Sequence, residues 1–183
     1  MKGHGSLLPT FFTLVSNGRE FWLHVPRDNT VYTGLLEAVS GESEDYGIDL
    51  NLRDLFRALF PCPIEDDHLI ELAAGDPYYV LSTFTTAGTD RRLCRRLWVG
   101  KDRYMVEKEK YYNADGAEEL EIRRSNFLES ACCLFPKEIT LRSNVTGSAV
   151  SLTFQKVTMN PEGLESTLFH FDIPEGVAMR IIE

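Results

Sequence analysis

The stretch from Arg103 to Phe127 reads RYMVEKEKYYNADGAEELEIRRSNF, and it decides the fold. Two runs of alternating apolar and charged residues flank a turn at Asn113–Gly116. The Asp115-Gly116 pair in this turn suits backbone positions with positive φ, which a tight hairpin requires. The stretch therefore predicts two antiparallel strands joined by a short turn.

The alternation assigns a face to each of these two strands. In the first strand we expect Tyr104, Val106 and Tyr112 to share one face, and in the second Leu120 and Ile122 alternate with charged residues. One apolar side and one charged side are typical of a strand whose sheet is covered on one face and solvated on the other. The hairpin therefore predicts an antiparallel sheet with something covering one face.

The rest of the chain predicts more antiparallel sheet. Asn17-Gly18 is a second hairpin signal, and in the strand that follows it Phe21, Leu23 and Val25 face one way. So many strands at hairpin spacing imply a sandwich, a barrel or a half-barrel. The other predicted strands are 11–16, 19–25, 30–34, 78–86, 91–99, 138–144, 149–158 and 166–173, with a tail at 177–182.

One clear helix interrupts the strands, from Asn51 to Phe60, and Pro61 ends it. Its apolar residues recur at helical spacing and form one stripe, which must lie on an apolar surface because so short a helix is unstable alone in water. The helix is either ordinary core packed on the sheet or a movable lid over a cavity. The lid residues of this helix would be Leu52, Leu55, Phe56 and Leu59.

A second short helix is predicted at Asp66–Ala74.

Composition and charge narrow the class of protein. The chain has 183 residues, 43% hydrophobic and 26% charged, which fits one globular domain over 1–183. The formal net charge of −9 argues against nucleic acid as a partner. The sequence contains no CxxC pair, so we predict neither a metal site nor a cofactor. We also expect no membrane-spanning run and no signal peptide in the sequence.

No catalytic motif is present, and the protein is predicted not to be an enzyme. The sequence lacks GxSxG, HExxH, a P-loop and GxGxxG. Glu107 and Glu109 share a strand face, but their alternation with lysines indicates a solvated edge. A hydrolase that uses Glu107 or His24 is the remaining enzymatic interpretation.

Large aromatic residues are spread over several predicted strands. On a curled sheet some of them would face one interior, which is either filled by side chains or open to a ligand such as an acyl chain. Trp22, Trp98 and Phe154 are the candidates for lining such a cavity.

Three segments carry a resemblance to a known family. They are SNGREFWLHVPRDNTVYTG at 16–34, RRLWVGKDRYMVEKEKYYNADG at 95–116, and the segment 136–177, which closes on FHFDIPEG. Together they resemble the lipoprotein-carrier proteins of the bacterial envelope, the LolA/LolB-like superfamily, and in particular its outer-membrane lipoprotein members.

The resemblance implies a mainly β, α+β fold, namely a curved antiparallel half-barrel with a short lid helix. It implies that the partners are lipid or the acyl chains of lipoproteins, together with outer-membrane lipoproteins or other envelope proteins. It also implies a location in the periplasm or at the periplasmic face of the outer membrane. The family's N-terminal helix and first strands have no counterpart in the sequence. The alternative is a structural envelope protein with a filled core and no ligand.

Overall fold

The computed structural model describes residues 2–4, 10–35, 52–59, 63–65, 68–87, 90–129, 134–157, 163, 165 and 169–182. Within these residues the chain is mostly strand with one α-helix, α1 (Leu52–Leu59), and a 3-10 turn at Pro26–Asp28. The predicted mainly β fold with antiparallel sheet and a short helix is confirmed. The strands are β1 (Lys2–His4), β2 (Thr10–Ser16), β3 (Glu20–Val25), β4 (Thr30–Leu35), β5 (Leu69–Ala74), β6 (Tyr78–Ala87), β7 (Asp90–Gly100), β8 (Val106–Tyr112), β9 (Glu118–Glu129), β10 (Leu134–Ser143), β11 (Ala149–Thr153) and β12 (Ala178–Ile182).

The chain forms two compact units, Met1–Arg53 with Asn160–Glu183 and Asp54–Met159. Each unit is built on its own sheet, and the prediction of a single domain over 1–183 stays a prediction. Within the described residues, no helix is long and apolar enough to cross a membrane.

The first unit holds a five-stranded sheet in the order β1-β2-β3-β4-β12. Adjacent strands of this sheet are antiparallel, except that β12 pairs in parallel with β4. As predicted, Phe21, Leu23 and Val25 of β3 are buried on one face. They share this face with Tyr32 of β4, which is buried and is the cross-strand partner of Leu23.

The second unit holds a seven-stranded antiparallel sheet in the order β11-β10-β9-β8-β7-β6-β5. Every strand pairs with its neighbour in sequence, so the sheet is a meander of hairpins. One cross-strand row runs through its centre on the buried face and contains Leu97, Glu109, Ile122 and Leu141.

Three predictions of secondary structure are wrong. Leu69–Ala74, predicted as part of a helix from 66 to 74, is strand β5, because β6 offers a hydrogen-bonding partner along its full length. Residues 169–173 are not a strand, although 166–173 had the pattern of one. The predicted tail at 177–182 contains β12, whose partner β4 lies far away in the sequence.

The opening hairpin is confirmed, but the facing of its first strand is wrong. Glu109 and Tyr111 are the buried side chains of β8, whereas Tyr104 is exposed at a positive φ before the strand begins. Bulges at Trp98/Val99 and Tyr111/Tyr112 shift the pairing at both ends of β8. A shift of one residue moves a side chain to the other face of the sheet. Because of these bulges, the alternation of residues alone does not give the correct face for each side chain.

Candidate functional site

Helix α1 packs on the buried face of the seven-stranded sheet. Leu55 is 1% exposed and Ala58 is fully buried, whereas Phe56 and Leu59 are half-buried. The side chain of Leu52 lies outside the described residues. Of the predicted lid residues whose side chains are described, Leu55 is therefore the most deeply buried, and Ala58, which was not predicted as a lid residue, is buried as well.

The C-terminal end of α1 is held by one side chain of the sheet. Arg124 of β9 donates from Nε to the carbonyl oxygen of Ala58 at 3.1 Å and from Nη2 to that of Arg57 at 2.9 Å. These carbonyls have no partner within the helix, and the C-terminal end of a helix carries a partial negative charge. The guanidinium of Arg124 therefore satisfies two orphan acceptors and complements the helix dipole.

A buried carboxylate holds Arg124 in this position. Glu109 is fully buried and accepts from Arg124 Nη1 at 2.6 Å. It also accepts from Arg95 Nη2 at 2.8 Å and from the hydroxyl of Tyr111 at 3.0 Å. Arg95 and Arg124 are themselves 6% and 4% exposed. We call Arg95, Glu109, Tyr111 and Arg124 the buried cluster.

The ring of Tyr111 extends the cluster to α1. The guanidinium carbon of Arg57, on the helix, lies 4.3 Å from the ring centroid, and that of Arg95 lies 5.3 Å from it. Arg57 also pairs with Asp54 one helical turn earlier, at 3.5 Å. The ring of Tyr111 therefore contacts a cation of the helix, Arg57, and a cation of the sheet, Arg95. Such cation–π contacts are stronger where water is excluded.

The interpretation of Glu109 as part of a solvated edge is wrong. Its cross-strand partners on the buried face are Leu97 and Ile122, so the strand buries the carboxylate among apolar neighbours. A buried charge of this kind requires paired donors, which Arg95 and Arg124 supply. The sequence could have indicated this burial only through the apolar residues that lie opposite Glu109 on the neighbouring strands. Those residues can be identified only when the strand register is known.

The three predicted cavity residues lie in different surroundings. Trp22 is on the five-stranded sheet, where its ring makes an edge contact with His170 at 5.8 Å. Phe154 follows β11 and packs edge-on against Phe135 at 5.1 Å. Trp98 lies opposite Lys108, on the face of the seven-stranded sheet away from α1.

The residues of the hydrolase interpretation belong to different sheets. Glu107 of β8 accepts a hydrogen bond from the hydroxyl of Tyr78 at 3.1 Å, and His24 of β3 contacts the ring of Phe171. The hydrogen bond to Glu107 raises the pKa of Tyr78, and the charge of Glu107 adds to this effect. Among the described residues, no group of three or more His, Cys, Asp or Glu side chains is placed to hold a metal ion.

Comparison with known proteins identifies the fold. No family model and no curated protein matches the sequence. A solved structure described as an outer membrane lipoprotein-sorting protein domain from Vibrio parahaemolyticus matches with a TM-score of 0.57 and 15% identity, over 92% of this chain and 67% of that one. A DUF1329 family protein from Desulfovibrio piger matches with a TM-score of 0.58 and 15% identity, over 87% of this chain and 68% of that one.

A LolA superfamily protein from Nitrosomonas europaea also matches, with 17% identity and a TM-score of 0.45, over 85% of this chain and 70% of that one. The first two matches show that the chain has a LolA-like fold, as its three sequence segments suggested. At these identities the likeness concerns the fold alone.

Proposed function

We propose that this protein is a non-catalytic carrier or binder of lipid, or of lipoprotein acyl chains, at the bacterial cell envelope, and that α1 is the lid of its binding site. The fold likeness supports this, since one similar structure is described as a lipoprotein-sorting domain. The observation that carries the proposal is the attachment of α1 to the sheet.

That attachment is strong at one end of the helix and limited in extent. Among the described side chains of α1, Leu55 and Ala58 are buried, and Arg124 bonds the carbonyls of Arg57 and Ala58 in the last turn. An eight-residue helix does not hold its shape alone in water. The helix therefore depends on the sheet, and a competing apolar ligand can take its place.

The energies are of comparable size. Exposing one buried leucine or phenylalanine costs about 1.5–3 kcal/mol, so lifting the apolar stripe of α1 costs several such terms. Burying an acyl chain stabilises the complex by about 0.8 kcal/mol per methylene group, so a long chain offsets that cost. Exchange of α1 for an acyl chain on the same apolar surface is therefore energetically feasible.

The cavity residues stay a prediction. An acyl chain beneath α1 would lie on the face that carries Leu97, Ile122 and Leu141. Trp98 faces the other way in the cross-strand register, so the contribution of this residue is tested separately from those of Trp22 and Phe154.

The test is retention of lipid by the lid variant. Detergent-free protein is incubated with a palmitoylated peptide or with phospholipid vesicles, separated from them at high salt, and then examined by native mass spectrometry and solvent extraction. We expect the native chain to carry extractable lipid and the double variant Leu55→Asp/Phe56→Asp to carry none, because two carboxylates on the apolar stripe prevent closure over an acyl chain.

A matched control separates loss of binding from loss of stability. Leu23→Ala truncates a fully buried leucine of the five-stranded sheet, so it destabilises the protein without changing a residue of α1. This variant should still retain lipid. Unchanged retention by a folded Leu55→Asp/Phe56→Asp variant would contradict the lid.

The second candidate is a structural envelope protein with a filled core and no ligand. The near-complete burial of Leu55 and Ala58 favours it, because a helix packed this closely is also what an ordinary core would show. It predicts a clean apo mass after incubation with lipid, and it predicts that the lid substitutions lower the unfolding temperature without affecting any ligand.

A further inference from the structure

The face of the seven-stranded sheet opposite α1 concentrates positive charge. On its four central strands, one cross-strand row aligns Trp98, Lys108 and Arg123, and the next aligns Arg96, Lys110, Glu121 and Arg142. Five cations in these two rows stand against one carboxylate, in a chain whose net charge is −9. We call the basic face the set Arg96, Trp98, Lys108, Lys110, Arg123 and Arg142.

The carboxylates near this face neutralise only part of it. Glu118 and Glu121 both pair with Lys110, and Glu121 also pairs with Arg123 at 2.6 Å. Glu138 lies one row further on, where it accepts a hydrogen bond from Ser125. Among the described residues, no carboxylate pairs with Arg96, Lys108 or Arg142.

At two places on this face, residues of like charge are direct cross-strand partners. Lys108 is the cross-strand partner of Arg123, and Arg96 is the partner of Lys110. Like charges directly opposite on neighbouring strands destabilise a sheet. Burial lowers the pKa of Lys108, and the positive charges of Lys110 and Arg123 lower it further against the opposing effect of Glu121. The charged form of Lys108 is therefore disfavoured in the free protein, and an anion bound next to Lys108 would stabilise it.

An aromatic ring lies within the same array. The ammonium of Lys108 is 3.8 Å from the ring centroid of Trp98, which is half-buried. Tryptophan is enriched where one side of the ring meets apolar matter and the other meets water, as at the level of lipid headgroups. A tryptophan flanked by lysine and arginine is the combination expected at a negatively charged bilayer surface.

We propose that the basic face docks on the surface of an anionic phospholipid bilayer. The four central strands spread its cations over roughly 14 Å at the usual strand spacing, so the array matches a plane of phosphates. A single small anion is instead bound by converging donors in a concave site. The choice of an anionic bilayer as the partner rests on charge complementarity. The basic face is cationic although the chain as a whole is acidic, and the phosphates of the bilayer are negative.

The test is binding of the full chain to vesicles of phosphatidylcholine alone or with about one-third phosphatidylglycerol, measured by flotation at low and at high salt. We expect binding to the anionic vesicles only, weakened by salt. Because each cation near such a surface contributes about a five-fold gain in partition coefficient, Arg96→Gln/Lys108→Gln should lower it about 25-fold. The matched control Arg19→Gln/Arg27→Gln has the same net charge and alters the turns on either side of β3 in the first unit, so it should bind anionic vesicles far better than Arg96→Gln/Lys108→Gln.

Two further variants separate docking from misfolding and from the lid. Thr140→Glu places a carboxylate opposite Arg123, so it should weaken vesicle binding without lowering the unfolding temperature. In a Trp22→Phe background, anionic vesicles should shift the fluorescence of Trp98 to shorter wavelength. Leu55→Asp/Phe56→Asp should leave vesicle binding unchanged, so a failure of the lid proposal is distinguishable from a failure of this one.

Equal binding to neutral and anionic vesicles would overturn the proposal. Binding that survives both Arg96→Gln/Lys108→Gln and Thr140→Glu would also overturn it. Absence of binding to the anionic vesicles would do the same and would leave an acidic protein surface as the partner of the basic face.

Discussion

Replacing Glu109 by glutamine tests whether the buried cluster holds the second unit together. The substitution keeps the shape of the side chain and removes its charge, so the buried Arg95 and Arg124 lose the carboxylate that they share. Breaking a buried ion pair by neutralising one partner costs about 3–5 kcal/mol. For a chain of this size that corresponds to a fall of about 10 °C in the unfolding temperature.

The assay is thermal and urea unfolding of the native chain, of Glu109→Gln and of the control Glu129→Gln. Glu129 is exposed at the end of β9, so its substitution should change stability by no more than about 0.5 kcal/mol. Protection of the α1 amides against hydrogen exchange should fall in Glu109→Gln as well, because Arg124 is no longer held at the helix carbonyls.

The outcome that would refute this reasoning is a loss of stability in Glu109→Gln as small as that in Glu129→Gln. Such a result would mean that the carboxylate is solvated, as the alternation of charges in the sequence suggested. A stability loss without any change in the exchange of α1 would instead show that the cluster supports the sheet but not the helix.

Three further predictions concern single residues. Arg124→Gln should speed the hydrogen exchange of α1 far more than that of β7 to β10, as measured by mass spectrometry, since it removes the donors to the carbonyls of Arg57 and Ala58; uniform acceleration would contradict a local role. Burial alone would raise the pKa of Glu121, but hydrogen bonds from Arg123 and Lys110 outweigh it and lower that pKa, so Glu121 stabilises the fold above its ordinary pKa and loses this effect as the pH falls through the lowered value. Glu121→Gln should therefore be less stable at neutral pH and lose less stability on acidification, in unfolding curves recorded across that range. Gly34→Ala should release β12, because a Cβ at Gly34 would collide with the carbonyl oxygen of Ile182, and limited proteolysis should then remove the C-terminal strand before the rest of the unit is cut.

The local elements of the fold were predictable because their signals are local. The hairpin at 103–127 and the pair at 11–25 are confirmed, with the turns at Asn113–Gly116 and Asn17-Gly18 where the sequence placed them. Helix α1 begins and ends within one residue of the predicted bounds, and residues 51 and 60 lie outside the described part of the chain. Turn residues with positive φ and helical apolar spacing act over a few residues, so the sequence displays them directly.

The site was much less predictable. Glu109 and Arg124 were each visible as charged residues in strands, and neither carried a signal of burial. Their roles depend on register: Glu109 stands opposite Ile122, and Arg124 opposite Ile139, on the face that α1 covers. The bulges beside Trp98 and Tyr111 set that register, and bulges leave no reliable trace in the alternation of residues.

The sequence by itself determined a mainly β chain with one amphipathic helix, an acidic net charge and a resemblance to envelope lipoprotein carriers. The tertiary structure alone decided that β5 is a strand, that β12 joins β4 in parallel, and that a carboxylate in the central hairpin is buried between two arginines. The physical reason is that period and turn chemistry are written in neighbouring residues, whereas strand partners and the face of a strand are set by hydrogen bonds between residues far apart in the chain.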